Sequence, residues 1–167
     1  AARRNALLDR LKQRLKTNPP VAPVIAAGIT TAAPAIANLL SQIAGLSQGL
    51  VLLPHVDLTM PETDWDALGN FDVPAEGSDT AKAPRQQETH PQYNLKLLLH
   101  RMGVRRDEVT AFPGKSAATL RGAHLSQAVQ DIFCIAEKTV EWQGLSPKRR
   151  SLDHVRLVEA EDSAEEA

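Results

Sequence analysis

The chain has 167 residues, enough for one ordinary domain, and 43% of them are hydrophobic, so a folded core is expected. Its formal net charge of −1 gives no global attraction to DNA or to an acidic membrane, and no apolar run approaches the roughly 20 residues that span a bilayer. A single cysteine, Cys134, excludes an internal disulfide and favours a reducing, cytoplasmic setting.

The first predicted element is a helix over residues 3–16, which ends at Asn18-Pro19-Pro20. Its leucines fall on one helical face: Leu7, Leu8, Leu11 and Leu15. The helix has one acidic residue, Asp9, and six basic ones: Arg3, Arg4, Arg10, Lys12, Arg14 and Lys16. Such an end either meets phosphates or an acidic partner, or is a solvated helix face.

A strand, a helix and a second strand are predicted next, between Val24 and Asp57. Val21 to Ala27 is apolar, Pro34 suits the first turn of a helix, and Leu50 to Leu53 is typical of a strand buried on both faces. The helix carries its apolar residues at helical spacing: Ile36, Leu39, Leu40, Ile43 and Ala44. This order predicts an α/β fold with parallel strands, whose carboxyl ends are the usual ligand positions.

The second half of the chain is predicted to be mainly helical. Thr59 and Glu62 form a capping box before a short helix that contains Trp65. Residues 70–89 are polar and rich in Pro and Gly, as in a flexible surface insertion. Helices follow from Pro91 to Gly103 and over most of 117–135. A loop over 144–151 carries three more basic residues, Lys148, Arg149 and Arg150, and 155–159 alternates as a strand does.

Both ends of the chain indicate a segment of a longer protein. It begins without Met inside a predicted helix, and it stops one residue after the capping box Ser163-Ala164-Glu165-Glu166. We therefore expect further sequence on both sides.

Catalytic and metal-binding motifs are poorly represented. Pro113-Gly114-Lys115-Ser116 is similar to the tail of a phosphate-binding loop, but Val109 stands where its first Gly is needed. The five histidines form no zinc-type pair with a cysteine, and no serine lies in a nucleophile elbow. We predict no catalytic and no metal-binding residue here. Of the histidines, His55 is the best placed to contact a ligand, since it follows a strand.

Several stretches, taken in order, resemble the AddB family of double-strand-break repair proteins of the alphaproteobacterial type. They are Pro23–Pro34, Gly49–Asp57, Trp65–Gly69, His90–Tyr93, Arg101–Val104 and Leu157–Ala160. The resemblance covers most of the chain from about residue 20 onward. It implies a RecA-like, superfamily-1 helicase-like parallel-sheet segment with flanking helices, in a bacterial cytoplasmic protein.

The resemblance also implies a functional context. AddB-like proteins partner an AddA-like subunit in a helicase–nuclease that resects broken DNA ends for homologous recombination. ATP, Mg²⁺ and an iron–sulfur cluster are implied only for that full complex, with no cofactor in this segment. The partners would be the AddA-like subunit and double- and single-stranded DNA, without a membrane.

Compared with active helicases, the strand ends would be degenerate ATPase motifs. Ala26, Ala27 and Gly28 stand where an Asp-Glu pair holds Mg²⁺ and the attacking water. His55 and Asp57 follow the strand after which a Gln usually senses the γ-phosphate. The resemblance thus implies a segment without ATP chemistry.

The predicted organisation has four parts. Residues 1–69 are a helix and the βαβ part of an inactivated helicase-like domain, 70–89 the insertion, 90–153 a helical continuation, and 154–167 the strand and helix start of the next domain. The expected function is scaffolding, partner docking and DNA binding. Candidate DNA contacts are Arg3, Arg4, Arg10, Lys12, Arg14, Lys148, Arg149 and Arg150.

Two other functions remain open. One is a small α/β enzyme that binds a nucleotide near Gly28, His55 and Asp57, or at Lys115. The other is a stand-alone protein-interaction module.

Overall fold

The computed structural model describes residues 2–71, 87–112, 127–150 and 159, which fall into two compact units, Ala1–Pro113 and Gly114–Ala167. The first unit contains α1 (Ala2–Thr17), β1 (Val24–Ala27), α2 (Pro34–Ala44), β2 (Gly49–Leu52), α3 (Glu62–Ala67) and α4 (Tyr93–Met102), followed by a 3-10 turn over Arg106–Glu108. The second contains helical residues 127–132 and a 3-10 helix over Ala136–Gly144. The predicted helix over 117–126, the strand over 155–158 and the final capping box lie outside the described residues.

The two strands form a parallel pair, as the sequence predicts. Val24 is opposite Gly49 and Ala27 is opposite Leu52. The Gly28 N–H donates to the Leu52 carbonyl at 3.1 Å and extends the ladder past the end of β1. The first unit is therefore a mixed α/β structure in which helices flank a two-stranded parallel sheet.

The core of the first unit lies between α2 and α4. Its buried residues come from the segment before α2 and from both helices: Ala32, Ala37, Leu40, Leu98 and Met102. The Ser41 hydroxyl on α2 donates to the Met102 carbonyl at 2.9 Å, which ties the end of α4 to α2. The guanidinium of Arg101 donates to the Ala32 carbonyl, which holds the segment before α2 against α4.

The sequence correctly places the start of α2 and the end of α4. Pro34 occupies the first turn of α2, and the helix ends at Gly45. Helix α4 begins two residues after Pro91 and ends at Gly103, whose φ of 70° belongs to the left-handed region that glycine tolerates best. Gly49 is needed because a Cβ there would lie 1.8 Å from the Ile43 carbonyl oxygen.

Burial differs from the prediction on the outer face of the sheet and on α1. Ile25 and Leu50, which are opposite each other, are 62% and 39% exposed, so the prediction that β2 is buried on both faces is wrong within the described residues. On α1, Leu7 and Leu11 are exposed, whereas Leu8 and Leu15 are partly buried. The predicted leucine stripe is therefore too wide, since α1 packs against α2 along only one side of it.

The predicted capping box at the start of α3 is also wrong. The helix begins at Glu62 with Pro61 as its N-cap residue, and no side chain caps it. Thr59 is instead hydrogen-bonded to Asp57, two residues earlier, through both its N–H and its hydroxyl. In a capping box the Thr59 N–H would donate to the Glu62 carboxylate. Here it donates to Asp57, and Glu62 pairs with Arg106 instead.

The two tryptophans have different environments. Trp65 is buried, but Trp142 in the second unit is 45% exposed. The Trp142 indole N–H donates to the Asp131 carbonyl at 2.6 Å, which fixes the ring at the surface. Cys134, also in the second unit, is partly buried.

None of the described helices is both long enough and apolar enough to cross a membrane.

Candidate functional site

The carboxyl ends of β1 and β2 lie at the same edge of the sheet, because the strands are parallel and in register. Gly28 follows β1 with a φ of 73°, in open space. Ala26 is half-buried toward the core, and Ala27 is exposed. The structure thus brings the predicted strand-end positions together, and the β1 side of this edge offers only backbone groups and methyls.

The loop after β2 is organised by the carboxylate of Asp57. Its Oδ1 accepts hydrogen bonds from the Thr59 N–H, the Thr59 hydroxyl and the Met60 N–H, each at 2.9 Å. This is the turn that an Asp side chain forms with the backbone two and three residues on. One carboxylate oxygen of Asp57 therefore holds the backbone of its own loop in a turn.

Gln92, just before α4, fastens the same loop from the other side. Its Oε1 accepts from the Asp57 N–H at 3.0 Å, and its Nε2 donates to the His55 carbonyl at 2.8 Å. Its own N–H donates to Nδ1 of His90, at the start of the helix. Because both ends of the amide bond one loop, Gln92 holds His55 at a φ of 56°, a left-handed conformation that few non-glycine residues adopt.

Arg106 makes a second clamp beneath the loop. Its Nη1 donates to the Met60 carbonyl at 2.7 Å, its Nη2 pairs with the Glu62 carboxylate, and its guanidinium lies 4.9 Å from the centre of the Trp65 ring. The Arg106 side chain is only 13% exposed. A planar fork that bonds on two sides and stacks on an indole is a role that Lys cannot reproduce.

A cavity of about 590 Å³ lies beside this clamp, between α3, α4 and the 3-10 turn. Its cationic side chains include Lys96, Arg105 and Arg106. Lys96 donates to the carbonyls of Trp65 and Asp66 at 2.8 and 3.2 Å, at the end of α3. Each of these three cations therefore has a partner within the fold.

Arg105 and Asp107 form an exposed pair on the rim of this cavity. The Arg105 Nε lies 2.9 Å from an Asp107 oxygen. The hydrogen bond from Arg105 lowers the pKa of the Asp107 carboxyl below its ordinary value, and the same bond raises the pKa of the guanidinium. Both groups therefore keep their charges near neutral pH and form a salt bridge at the surface.

The basic residues of α1 are displayed differently. Arg3, Arg4, Arg10 and Arg14 are exposed, and Lys12 is half-buried. At about 100° per residue, Arg3, Arg10 and Arg14 fall within about 40° of one another around the helix, with Leu7 just beside them. Leu7 is 56% exposed. We call these four residues the arginine row.

The basic residues of the second unit are partly engaged. Arg149 forms a two-pronged pair with Asp131, with its Nε 3.2 Å from Oδ2 and its Nη2 bonded to Oδ1. Arg150 donates to the Gln143 carbonyl at 3.1 Å. Lys148 is exposed. The charge of Arg149 is thus balanced locally, while that of Lys148 faces solvent.

Sequence reasoning missed Gln92 and Arg106, which carry most of the loop geometry. No pattern in the sequence identifies them, because their partners are distant along the chain. Arg106 is 46 residues from Met60, and Gln92 is 37 residues from His55. Lys115 lies outside the described residues. Within the described ranges, no three His, Cys, Asp or Glu side chains come together as metal ligands would.

Comparison with known proteins finds no matching family model, no matching curated protein and no matching solved structure.

Proposed function

We propose that this chain is a non-catalytic, RecA-like segment of a superfamily-1 helicase-type subunit, similar to AddB, that serves DNA end resection in a bacterial helicase–nuclease. Its tasks are scaffolding, docking of an AddA-like subunit and DNA binding. The observation that carries the proposal is the use of the loop after β2. The backbone and carboxylate of Asp57 are bonded to Thr59, Met60 and Gln92, where an ATPase would present side chains to a nucleotide.

The β1 end supports the same proposal. A motor helicase holds Mg²⁺ and aligns water with carboxylates at the end of this strand. Here the strand runs through Ala26 and Ala27 into Gly28, whose N–H bonds β2. These residues supply neither a ligand for Mg²⁺ nor a base for water.

The outer face of the sheet suits a docking role. Parallel sheets are normally covered on both faces, yet Ile25 and Leu50 lie side by side and exposed on this one. In the proposed assembly, other parts of the parent subunit or the AddA-like partner cover this face. ATP, Mg²⁺ and the iron–sulfur cluster belong to that assembly.

Equilibrium titration of the 167-residue chain with fluorescent ATP and Mg²⁺ tests the proposal. Absent or millimolar binding is expected, because β1 ends without a carboxylate and the Asp57 carboxylate is bonded to its own loop. Micromolar binding would overturn it. The variant Lys115→Ala would then tell a phosphate loop at that residue from a site at the strand ends.

A further inference from the structure

We propose that the arginine row of α1, formed by Arg3, Leu7, Arg10 and Arg14, binds the phosphodiester backbone of nucleic acid without regard to base sequence. The inference deepens the proposed function and rests on it. It also narrows the DNA contacts from eight scattered basic residues to one helix face.

The spacing of the row matches a linear polyanion. A helix rises about 1.5 Å per residue, so Arg3 and Arg10 are about 10 Å apart along the axis, and Arg10 and Arg14 about 6 Å. The three guanidiniums therefore project from one side of a 16-residue helix. Each can grip a phosphate with two parallel N–H donors, a geometry that a lysine lacks.

Within the described residues, no acidic side chain neutralises the arginines of the row. Among the described residues, Arg3, Arg10 and Arg14 form no ion pair, in contrast to Arg149, which is paired with Asp131. The only acid of α1, Asp9, lies about 120° around the helix from Arg3. An unneutralised row of one sign is the form of surface that a phosphate chain complements.

The packing of α1 keeps the row outward. Helix α1 packs against α2, and its partly buried residues are Leu8, Lys12 and Leu15. The face centred on Arg3, Arg10 and Arg14 is turned away from that contact. The α2 contact thus leaves the row on the outer side of α1.

The same packing argues against a membrane as the partner. Interfacial helices insert a broad apolar face, usually with aromatic residues, into the lipid headgroups. In α1 the Leu8 and Leu15 side chains are partly used against α2, and the helix contains no aromatic residue. Because α1 also lacks an aromatic platform on which bases could stack, the row would meet duplex and single strand mainly through their phosphates.

The test is fluorescence anisotropy of the full 167-residue chain with a labelled random-sequence duplex and a single strand of the same length, over a range of salt. The row variant combines Arg3→Gln, Arg10→Gln and Arg14→Gln. Its matched control removes three charges from the same helix outside the row, with Arg4→Gln, Lys12→Gln and Lys16→Gln. Far-UV circular dichroism confirms that both variants keep their helices.

Three duplex phosphate contacts predict a slope of log affinity against log salt of about −2.7, or about a 40-fold loss between about 50 and about 200 mM salt. A single strand would give a slope of about −2. The row variant should lose most of this slope, whereas the control should keep it. Equal losses of slope in the row variant and the control would overturn the proposal that the row binds phosphates. Absent nucleic-acid binding by the unmodified chain would overturn it too.

Vesicles of phosphatidylserine and phosphatidylcholine provide the competing arm. Tighter binding to these vesicles than to nucleic acid, lost in the row variant, would overturn the inference in favour of a membrane surface. None of these results depends on nucleotide binding. If the row variant binds nucleic acid like the control and ATP binding is absent, the row is wrong but the proposed function stands. Micromolar ATP binding overturns the proposed function, whatever the result for the row variant.

Discussion

At the scale of single residues, long side chains from distant segments hold the strand-end loop in shape. Gln92 reaches the loop from just before α4 and Arg106 from the 3-10 turn, and both bond main-chain atoms. Every residue of the loop has a main-chain carbonyl, so the residue types of the loop do not show which carbonyls Gln92 and Arg106 bond. The sequence shows where the loop is, and Asp57 within it forms the turn, but the two residues that clamp the loop lie in distant segments.

Replacing Gln92 by Ala removes two hydrogen bonds to the loop, to the His55 carbonyl and from the Asp57 N–H. We expect a loss of about 1–3 kcal/mol in the free energy of unfolding, measured by urea denaturation. Asn94→Ala removes an exposed amide two residues further along the chain, in α4, and is the control that should change little. Equal losses in the two variants would mean that the amide does not clamp the loop.

Replacing Arg106 by Lys keeps the charge but removes the planar fork and its stacking on Trp65. A loss of about 1–3 kcal/mol is expected, because the Met60 carbonyl loses its donor in a largely buried place. Arg105→Lys makes the same change at the neighbouring arginine, whose side chain is 75% exposed, and should be close to neutral. Similar stability of the two variants would contradict the clamp.

At the scale of elements, the βαβ unit depends on how closely the end of α2 approaches the start of β2. Gly49 permits this approach, because a Cβ there would collide with the Ile43 carbonyl. Gly49→Ala should destabilise the first unit by about 1–3 kcal/mol through a forced backbone shift. Gly144→Ala, with nothing within 4 Å, is the control, and thermal unfolding followed by circular dichroism compares them. A neutral Gly49→Ala would show that the turn relaxes freely.

The order of elements could be predicted from the sequence, and the strand pairing with it. The Pro34 start, the apolar spacing of α2 and the two short apolar runs define a βαβ unit, and the observed pairing is parallel. The exposed faces could not be predicted. Periodicity marks Leu7 and Leu11 as apolar positions, but only the angle at which α1 meets α2 decides that they stay in solvent.

The same limit applies to the candidate site. The sequence identifies Gly28, His55 and Asp57 as strand-end residues, since that follows from the position of the strands. It assigns the start of α3 to Thr59, because a capping box requires only two residue types at the right spacing. The competing bond from Thr59 to Asp57 depends on the loop path, which is set by Gln92 and Arg106.

At the scale of the whole molecule, all residues of the described buried cluster between α2 and α4 belong to the first unit. Its buried cluster runs from Ala32 to Met102, within the unit Ala1–Pro113. A chain ending at Pro113 should therefore keep its fold. Its amide ¹H–¹⁵N spectrum should superimpose on that of the same residues in the full chain, and widespread shifts or collapsed dispersion would contradict the division.

The uncovered sheet face has a practical consequence for work with the purified chain. Ile25 and Leu50 form an apolar patch on a two-stranded sheet, and within the described residues each strand has one edge without a backbone partner. Such edges and patches template pairing between molecules. The purified chain should therefore aggregate increasingly as its concentration is raised. A lysine in place of Ile25 would act as a gatekeeper against aggregation at almost no cost in folding stability.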